Sequence, residues 1–500
     1  MKKLKNLFRW LDNNILSVLV GIFIFLIPLY PKIPIRTVNY TYIAVRIEDI
    51  FAALLFIIYI IQIIRKKVTI DKKFLLLFAL YWGAVFLSAF FNIFVTKIIY
   101  IKHLGLLHAA RRVEYMGIFL IILSIVKTKK AFLKYIALLF FSLLLVNVYG
   151  LGQKFIGWPA VQTMNPEYAK GYLLFLTPEA RISSTFSGHY DLAAYLVFFL
   201  PILLGYYFLR KNLYYFFLAI LSILILVFTA SRISYGAYII SVFPFLLFLK
   251  KPKHLIILLV ITILLTLTSK NLTSRFSRTF QVKQIFVNQN TGQVVIPQHV
   301  STKEVPAGSF YIGINKSIPT DQKAQELLLD ERIRDEIRSA ARSKGEKLTR
   351  NEEDLRVASV ASKLKPVNTV VSDISFATRL QAEWPRAFYA FLKNPLLGTG
   401  PSSITEATDN DYLRSIGEVG ALGTGLFVFI FFTVVKMIWA SIKTHPDKEK
   451  PLYYGFLFGL LGLLFNAGYI DVFEASKVAF QFWLIAGLFV ASINIKKMHV

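Results

Sequence analysis

The chain has 500 residues, of which 56% are hydrophobic, with a net charge of +28, no cysteine and a mean hydropathy of +0.57. So much apolar sequence excludes a string of ordinary soluble domains and assigns most of the chain to lipid, while the lack of cysteine excludes disulfides and thiolate metal sites. The lysines and arginines lie in short loops between apolar runs, a positive-inside pattern that forms no basic domain, so no nucleic-acid partner is expected.

The basic start, MKKLKNLFRWLDNN, leads into an apolar run from Ile15 to Tyr30. Pro31-Lys32-Ile33-Pro34 is no small-residue cleavage site, so this run reads as an uncleaved first transmembrane helix with a cytoplasmic N-terminus. Spans follow at Ile50–Ile64, Phe74–Val95, Met116–Val126, Tyr135–Leu151 and Leu192–Leu209. Leu213 to Leu249 would extend about 55 Å as one helix, nearly two hydrocarbon thicknesses. It is broken only at Thr229–Ser234, so it reads as a helical hairpin with Arg232 at its outer tip. Leu255–Leu267, Ala421–Ile442, Tyr453–Tyr469 and Val478–Ile493 complete about twelve spans, with nearly all lysine clusters and both termini on the cytoplasmic side.

Residues 269–372 differ in kind. They are polar and hold no run of span length, so they form an inserted extracytoplasmic α+β domain. Phe286 to Ile314 alternates around Asn290-Thr291-Gly292, as a β-hairpin does. Asp321 to Leu364 carries Leu327, Leu328, Ile333, Ile337, Ala340 and Ala341 at helical spacing. From Ser375 a helix with Leu380, Trp384, Phe388 and Phe391 on one side would lie in the membrane interface, equally well packed as a linker, and end at Asn394-Pro395. Gly398-Thr399-Gly400-Pro401 is a turn, followed by Thr408-Asp409-Asn410-Asp411-Tyr412-Leu413-Arg414 and Glu418. The expected fold is thus an all-α polytopic membrane protein with one inserted α+β domain. Residues 1–268 hold nine helices, 269–372 the insertion, 373–420 an interfacial active-site segment and 421–500 the last three helices.

No P-loop, dinucleotide fingerprint, HExxH or GxSxG occurs, and the scattered histidines define no metal site. Few ionisable residues fall within the spans. The unusual charges gather at the outer rim: Arg111, Arg112 and Glu114; Arg181, His189 and Asp191; Arg232; Asp409, Asp411, Arg414 and Glu418. Outer arginines oppose the positive-inside bias. They suit a diphosphate, which a guanidinium fork binds through two parallel bonds, or they snorkel and pair with nearby carboxylates.

Three blocks resemble the O-antigen ligase and polysaccharide polymerase superfamily of bacterial envelopes. They are RISSTFSGHYDLAAYLVFFLP (Arg181–Pro201), FTASR (Phe228–Arg232) and NPLLGTG…DNDYLRSIGEVGALG (Asn394–Gly423). The resemblance implies a metal-independent, cofactor-free glycosyltransferase in the bacterial cytoplasmic membrane. Its donor would be a glycan on undecaprenyl diphosphate, and its acceptor a polysaccharide, lipid or protein at the outer face. It implies that Arg181, Arg232 and His189 hold the donor diphosphate, and that Asp409, Asn410 and Glu418 serve the acceptor. Ligases of this kind usually carry histidine where this chain has Asp409, and Asp-Asn looks more like the polymerases. A lipid-linked oligosaccharide flippase is the alternative, and a membrane-anchored binding protein a third. A flippase needs a polar basic cavity, for which the spans offer only Gln62, Asn92, Asn147 and Asn466.

Overall fold

A computed structural model describes residues 2–38, 41, 44–163, 168–269, 272–273, 280–288, 294–295, 330, 333–335, 337–342, 346, 348–361, 364–372, 378–404 and 408–497. The chain forms two compact units, Met1–Phe276 with Ala377–Val500, and Ser277–Phe376. The first unit is built of helices: α1 (Lys2–Leu29), α2 (Ile47–Ile64), α3 (Lys72–Phe90, extended by a π-helical turn to Val95), α4 (Lys102–Ile125), α5 (Lys129–Phe155), α6 (His189–Arg210), α7 (Leu213–Thr229), α8 (Arg232–Phe248) and α9 (Pro252–Thr268). The second unit contributes α10 (Arg350–Ala361). The first resumes with α11 (Trp384–Lys393, entered through a π-helical turn from Arg379), α12 (Asp411–Ile442), α13 (Lys450–Ala467) and α14 (Ser476–Lys497).

Among the described residues, seven helices are long and apolar enough to cross a bilayer: α1, α2, α3, α5, α6, α12 and α14. The protein is therefore membrane-embedded and mostly helical. Three further apolar helices, α7, α8 and α9, are 17 residues each. The short run expected at Met116–Val126 is the second half of the longer α4, whose first half carries Arg111 and Arg112 buried. Helix α14 is buried along its whole apolar window and α6 along 83% of it, so these two form the centre. Polar caps set several helix starts. Asp71 accepts from the amides of Lys73 and Phe74, Thr128 from that of Ala131, and Asn212 from that of Tyr214. The α7–α8 hairpin turns on Ala230, at φ +48°, a left-handed conformation that a side chain disfavours.

The first unit also holds a short antiparallel pair, β1 (Pro34–Thr37) and β2 (Ala44–Arg46), between α1 and α2. In the second unit, β3 (Phe280–Asn288) pairs antiparallel with both β4 (Val294–Val295) and β5 (Leu364–Ser372). The hairpin read from Phe286 thus starts earlier, at Phe280, while 289–293 and 296–314 lie outside the described residues. Leu364, expected to close a helix, instead opens a strand, in keeping with the β-branched run Val367, Thr369, Val370, Val371. Of the expected helical stretch, 321–329 lie outside the described residues. Ile333 and Ile337 do lie on a helical segment, packed with Val357 and Val360 of α10.

One joint in the first unit governs the site. Helix α12 is broken at Gly420 (φ 63°, ψ −168°), and the turn 395–400 docks into the break. The amides of Thr399 and Gly400 donate to the carbonyls of Gly417 (2.9 Å) and Glu418 (2.8 Å). In return, the amides of Ala421 and Leu422 donate to Pro395 (2.8 Å) and Leu396 (3.1 Å). Helix α3 locks the turn from behind. Asn92 donates to Gly398 O at 3.0 Å and Ser88 to the carbonyls of Leu397 and Glu418. A Cβ on Gly420 would fall 2.3 Å from Leu396 O, on a backbone no L-residue favours. Gly420→Ala is therefore expected to cost about 2 kcal/mol or more and lower the melting temperature by several degrees. Gly425, with nothing within 4 Å of a built Cβ, serves as the control. Equal melting of Gly420→Ala, Gly425→Ala and the parent chain would show that the joint does not limit stability.

Candidate functional site

The polar side chains singled out in the sequence meet at one end of the helical unit. The starts of α8 and α12 join the end of α13 there through side-chain bonds, and the loop before α6 meets the end of α7 through a backbone bond. Ser234 donates to Asn466 at 2.8 Å, Asn410 to Gly468 O at 2.9 Å, and the Ile182 amide to Phe228 O at 3.4 Å. The sequence blocks therefore meet at the segment Asn466–Lys477, which spans the link 468–475 between α13 and α14 and of which sequence reading singles out only Asn466.

A reciprocal clasp fixes this segment to the start of α12. The Asp471 carboxylate accepts the amides of Thr408 (3.2 Å), Asp409 (3.2 Å) and Asn410 (3.1 Å), and the Arg414 guanidinium at 2.8 Å. Asp411, one turn away, accepts the amides of Val472 (2.7 Å) and Phe473 (3.1 Å). Asp409 is thereby held with φ +51°, a left-handed conformation that Asp tolerates better than most residues.

Asp409 itself points away from the clasp and pairs with Arg379. Arg379 is 3% exposed; it donates to Tyr469 O at 3.3 Å and stacks over the Tyr469 ring at 4.3 Å. Burial pushes the Asp409 carboxyl up to about 7, against the pull of Arg379 and with added repulsion from Asp471 and Glu383. Its side chain still keeps 31% of its surface exposed, so the carboxylate remains reachable.

Tyr190, the second residue of α6, joins this pair to the donor block. Its ring lies 6.0 Å from the Arg379 guanidinium and 5.9 Å from that of Arg181. Arg181 donates to Nε2 of His189 at 2.6 Å. Arg181, His189, Tyr190, Arg379 and Asp409 thus form one continuous patch. Arg232 is the half-buried first residue of α8, preceded by the cap Ser231, whose hydroxyl bonds that of Ser234 at 2.9 Å. Ser234 connects Arg232's helix to the same hub through Asn466.

The other two residues expected on the acceptor side, Asn410 and Glu418, are bonded into the frame. Asn410 is the N-cap of α12: its Oδ1 accepts the Leu413 amide at 3.0 Å while its Nδ2 is spent on Gly468 O. Glu418 is 1% exposed, with Oε2 on Arg112 at 2.6 Å and Oε1 facing the Ser402 amide (3.2 Å) and Arg414 (3.5 Å). Arg112 also bonds Glu474 at 3.0 Å. These charges are buried in a paired network, the pairing with nearby carboxylates that the sequence leaves open as one of two readings. Lys477 belongs to the same framework: its ammonium donates to the carbonyls of Pro28, Tyr30 and Thr185 and so ties the Arg181 loop to α1.

Helix α11 buries Ala387 and Ala390 against Ile404 and Leu413, and leaves Leu380, Phe388, Tyr389 and Leu392 exposed. Its small residues face the protein and its large apolar ones face out, the arrangement of a helix lying in an interface.

Removing one partner from the buried network strands a charge. Arg112→Ala is expected to destabilise the protein by roughly 3–5 kcal/mol, seen as a collapse in detergent-stable yield, and Glu418→Ala likewise. The double replacement Arg112→Met with Glu418→Leu should recover yield. Normal yield from Arg112→Ala alone would show that Glu418 is adequately served by Arg414. The chain matches no family model and no curated protein.

Proposed function

We propose that the protein is an O-antigen ligase-like glycosyltransferase, polymerase rather than ligase in type. It would act on an undecaprenyl-diphosphate-linked glycan at the outer face of the bacterial cytoplasmic membrane. In this reading α1–α9 and α12–α14 are twelve spans, both termini are cytoplasmic, and unit 277–376 is extracytoplasmic. One observation carries it: Arg181 and His189, from the block that resembles a donor site, share the Tyr190 ring with Arg379 and Asp409, from the block that resembles an acceptor site.

The chemistry follows from that patch. The acceptor hydroxyl attacks the anomeric carbon, a C–O bond forms, and the bond to the diphosphate oxygen breaks, leaving undecaprenyl diphosphate. Charge grows on the leaving diphosphate, so guanidinium groups from Arg181, Arg232 and Arg379 act where it develops, at a partly dehydrated surface. Arg232 and Asp411 each stand at a helix start, where the macrodipole favours an anion. Asp409 takes the hydroxyl proton. An ordinary aspartate near pKa ~4 is a weak base, but one held near 7 is poised for this step at neutral pH. A diphosphate that draws Arg379 to itself frees Asp409 from its ion pair, so donor arrival and acceptor activation are coupled. Asn410 and Glu418 hold the frame and touch neither substrate.

Purified protein incubated with a lipid-linked repeat unit should give a ladder of extended products. A single addition to lipid or protein means ligase. No extension, together with movement of the unit across a vesicle membrane, means a flippase and overturns this reading. Arg232→Ala is expected to abolish extension, by more than about 100-fold, while still accumulating in the membrane. Near-normal product would remove Arg232 from the diphosphate site.

The pH profile tests Asp409 separately. Below about 7 its carboxyl is protonated and cannot accept a proton; above, it is charged. The kcat/KM should therefore rise as pH climbs through about 7. Asp409→Asn should remove most activity and the rising limb with it. Arg379→Ala, which removes the charge that lowers the Asp409 pKa, should move the limb to higher pH. A limb unchanged in Asp409→Asn would assign the titration to another group.

A further inference from the structure

At the opposite end of the helical unit, a groove of about 1340 Å³ runs between α12, the start of α3, the start of α5 and the end of α14. It exceeds the ~300–1,000 Å³ of common small-ligand pockets. Its walls are apolar. Phe429 and Phe432 of α12 are 51% and 58% exposed, and Leu77 and Met437 face the same space. Three ammonium groups, from Lys73, Lys129 and Lys436, border it. Lys129 is neutralised by Glu449. No carboxylate among the described residues pairs with Lys73 or Lys436. Lys436 is not a loop residue. It lies six residues, about 9 Å, before the end of α12, with its ammonium 5.9 Å from the Phe432 ring.

We propose that this groove binds an anionic phospholipid, with the phosphate on Lys73 and Lys436 and an acyl chain along Phe429, Phe432 and Met437. Two exposed lysines with no carboxylate partner among the described residues stand beside an apolar wall; they suit an anion, and an anion that also fills the wall carries its own hydrocarbon. Arg210 and Lys448 line a second cavity that shares Lys129 and His445 with the groove, which widens the basic margin for a headgroup. The site is independent of the glycan chemistry proposed above.

The full-length protein, purified in zwitterionic detergent, is incubated with dioleoyl phosphatidylglycerol or dioleoyl phosphatidylcholine and read by native mass spectrometry. The parent chain should retain phosphatidylglycerol at least about tenfold better than phosphatidylcholine. Lys73→Gln with Lys436→Gln should lose that preference, Lys73→Arg with Lys436→Arg should keep it, and Lys250→Gln with Lys251→Gln, in another basic cluster, should leave it unchanged. Equal retention of both lipids by the parent chain overturns the proposal. So does a preference that survives the Gln pair, or full displacement of phosphatidylglycerol by inorganic phosphate alone.

Discussion

The site depends on two carboxylates that serve each other's backbone. Asp471 accepts three consecutive amides from 408–410, and Asp411 accepts two from 472–473. Each segment supplies the cap that the other needs, and a buried amide without an acceptor costs about 1–3 kcal/mol. The exchange fixes where α12 begins, and so where Asp409 points. It also anchors Tyr469, whose carbonyl and ring hold Arg379.

Beneath the clasp lies a layer of paired charge. Arg112 and Arg414 stand between Glu418, Glu474 and Asp471, drawn from α4, α12 and the α13–α14 link. Such a network contributes little net stability after desolvation, but it accepts only one arrangement of its members. Here it fixes α4 and α12 against the α13–α14 link. The price is a rigid base, and the mobile chemistry is left to the patch above it, where Arg379 and Asp409 hold one another only until a stronger anion arrives.

Much of the helical part was legible because hydropathy and lysine placement are read from single positions and short windows. Arg181 and Arg232 stood out as outer arginines that the positive-inside bias disfavours, and Asp409 through the Asn394–Gly423 block and its resemblance. Arg379 did not stand out. In sequence it is one polar residue on the polar side of an amphipathic helix; only the fold turns it inward onto Tyr469. Asp471 and Glu474 were missed because a short link between spans looks like mere connection. The available signal was their rarity: 29 acidic residues in the whole chain, two of them within four positions of an eight-residue link. Asn410 could have been read as a cap, since Asn ahead of an amphipathic run is a common helix start. Glu418 could not, because its partner Arg112 lies on a distant helix. In the polar unit, β5 went unread apart from Leu364, placed at the end of a helical stretch, although the β-branched run Val367, Thr369, Val370, Val371 was a local signal for it.

The docking of residues 395–400 into the break of α12 also bears on how this part of the chain can change in length. Surface loops ordinarily accept inserted residues at small cost. This one exchanges four backbone bonds with a helix break on a fixed stagger, Thr399 to Gly417, Gly400 to Glu418, Ala421 to Pro395 and Leu422 to Leu396. One residue added within 395–400 or 417–422 breaks that stagger. Variation in length is therefore confined to the stretch between Ser402 and Thr408, and the distance from the turn to Asp409 can be altered only there.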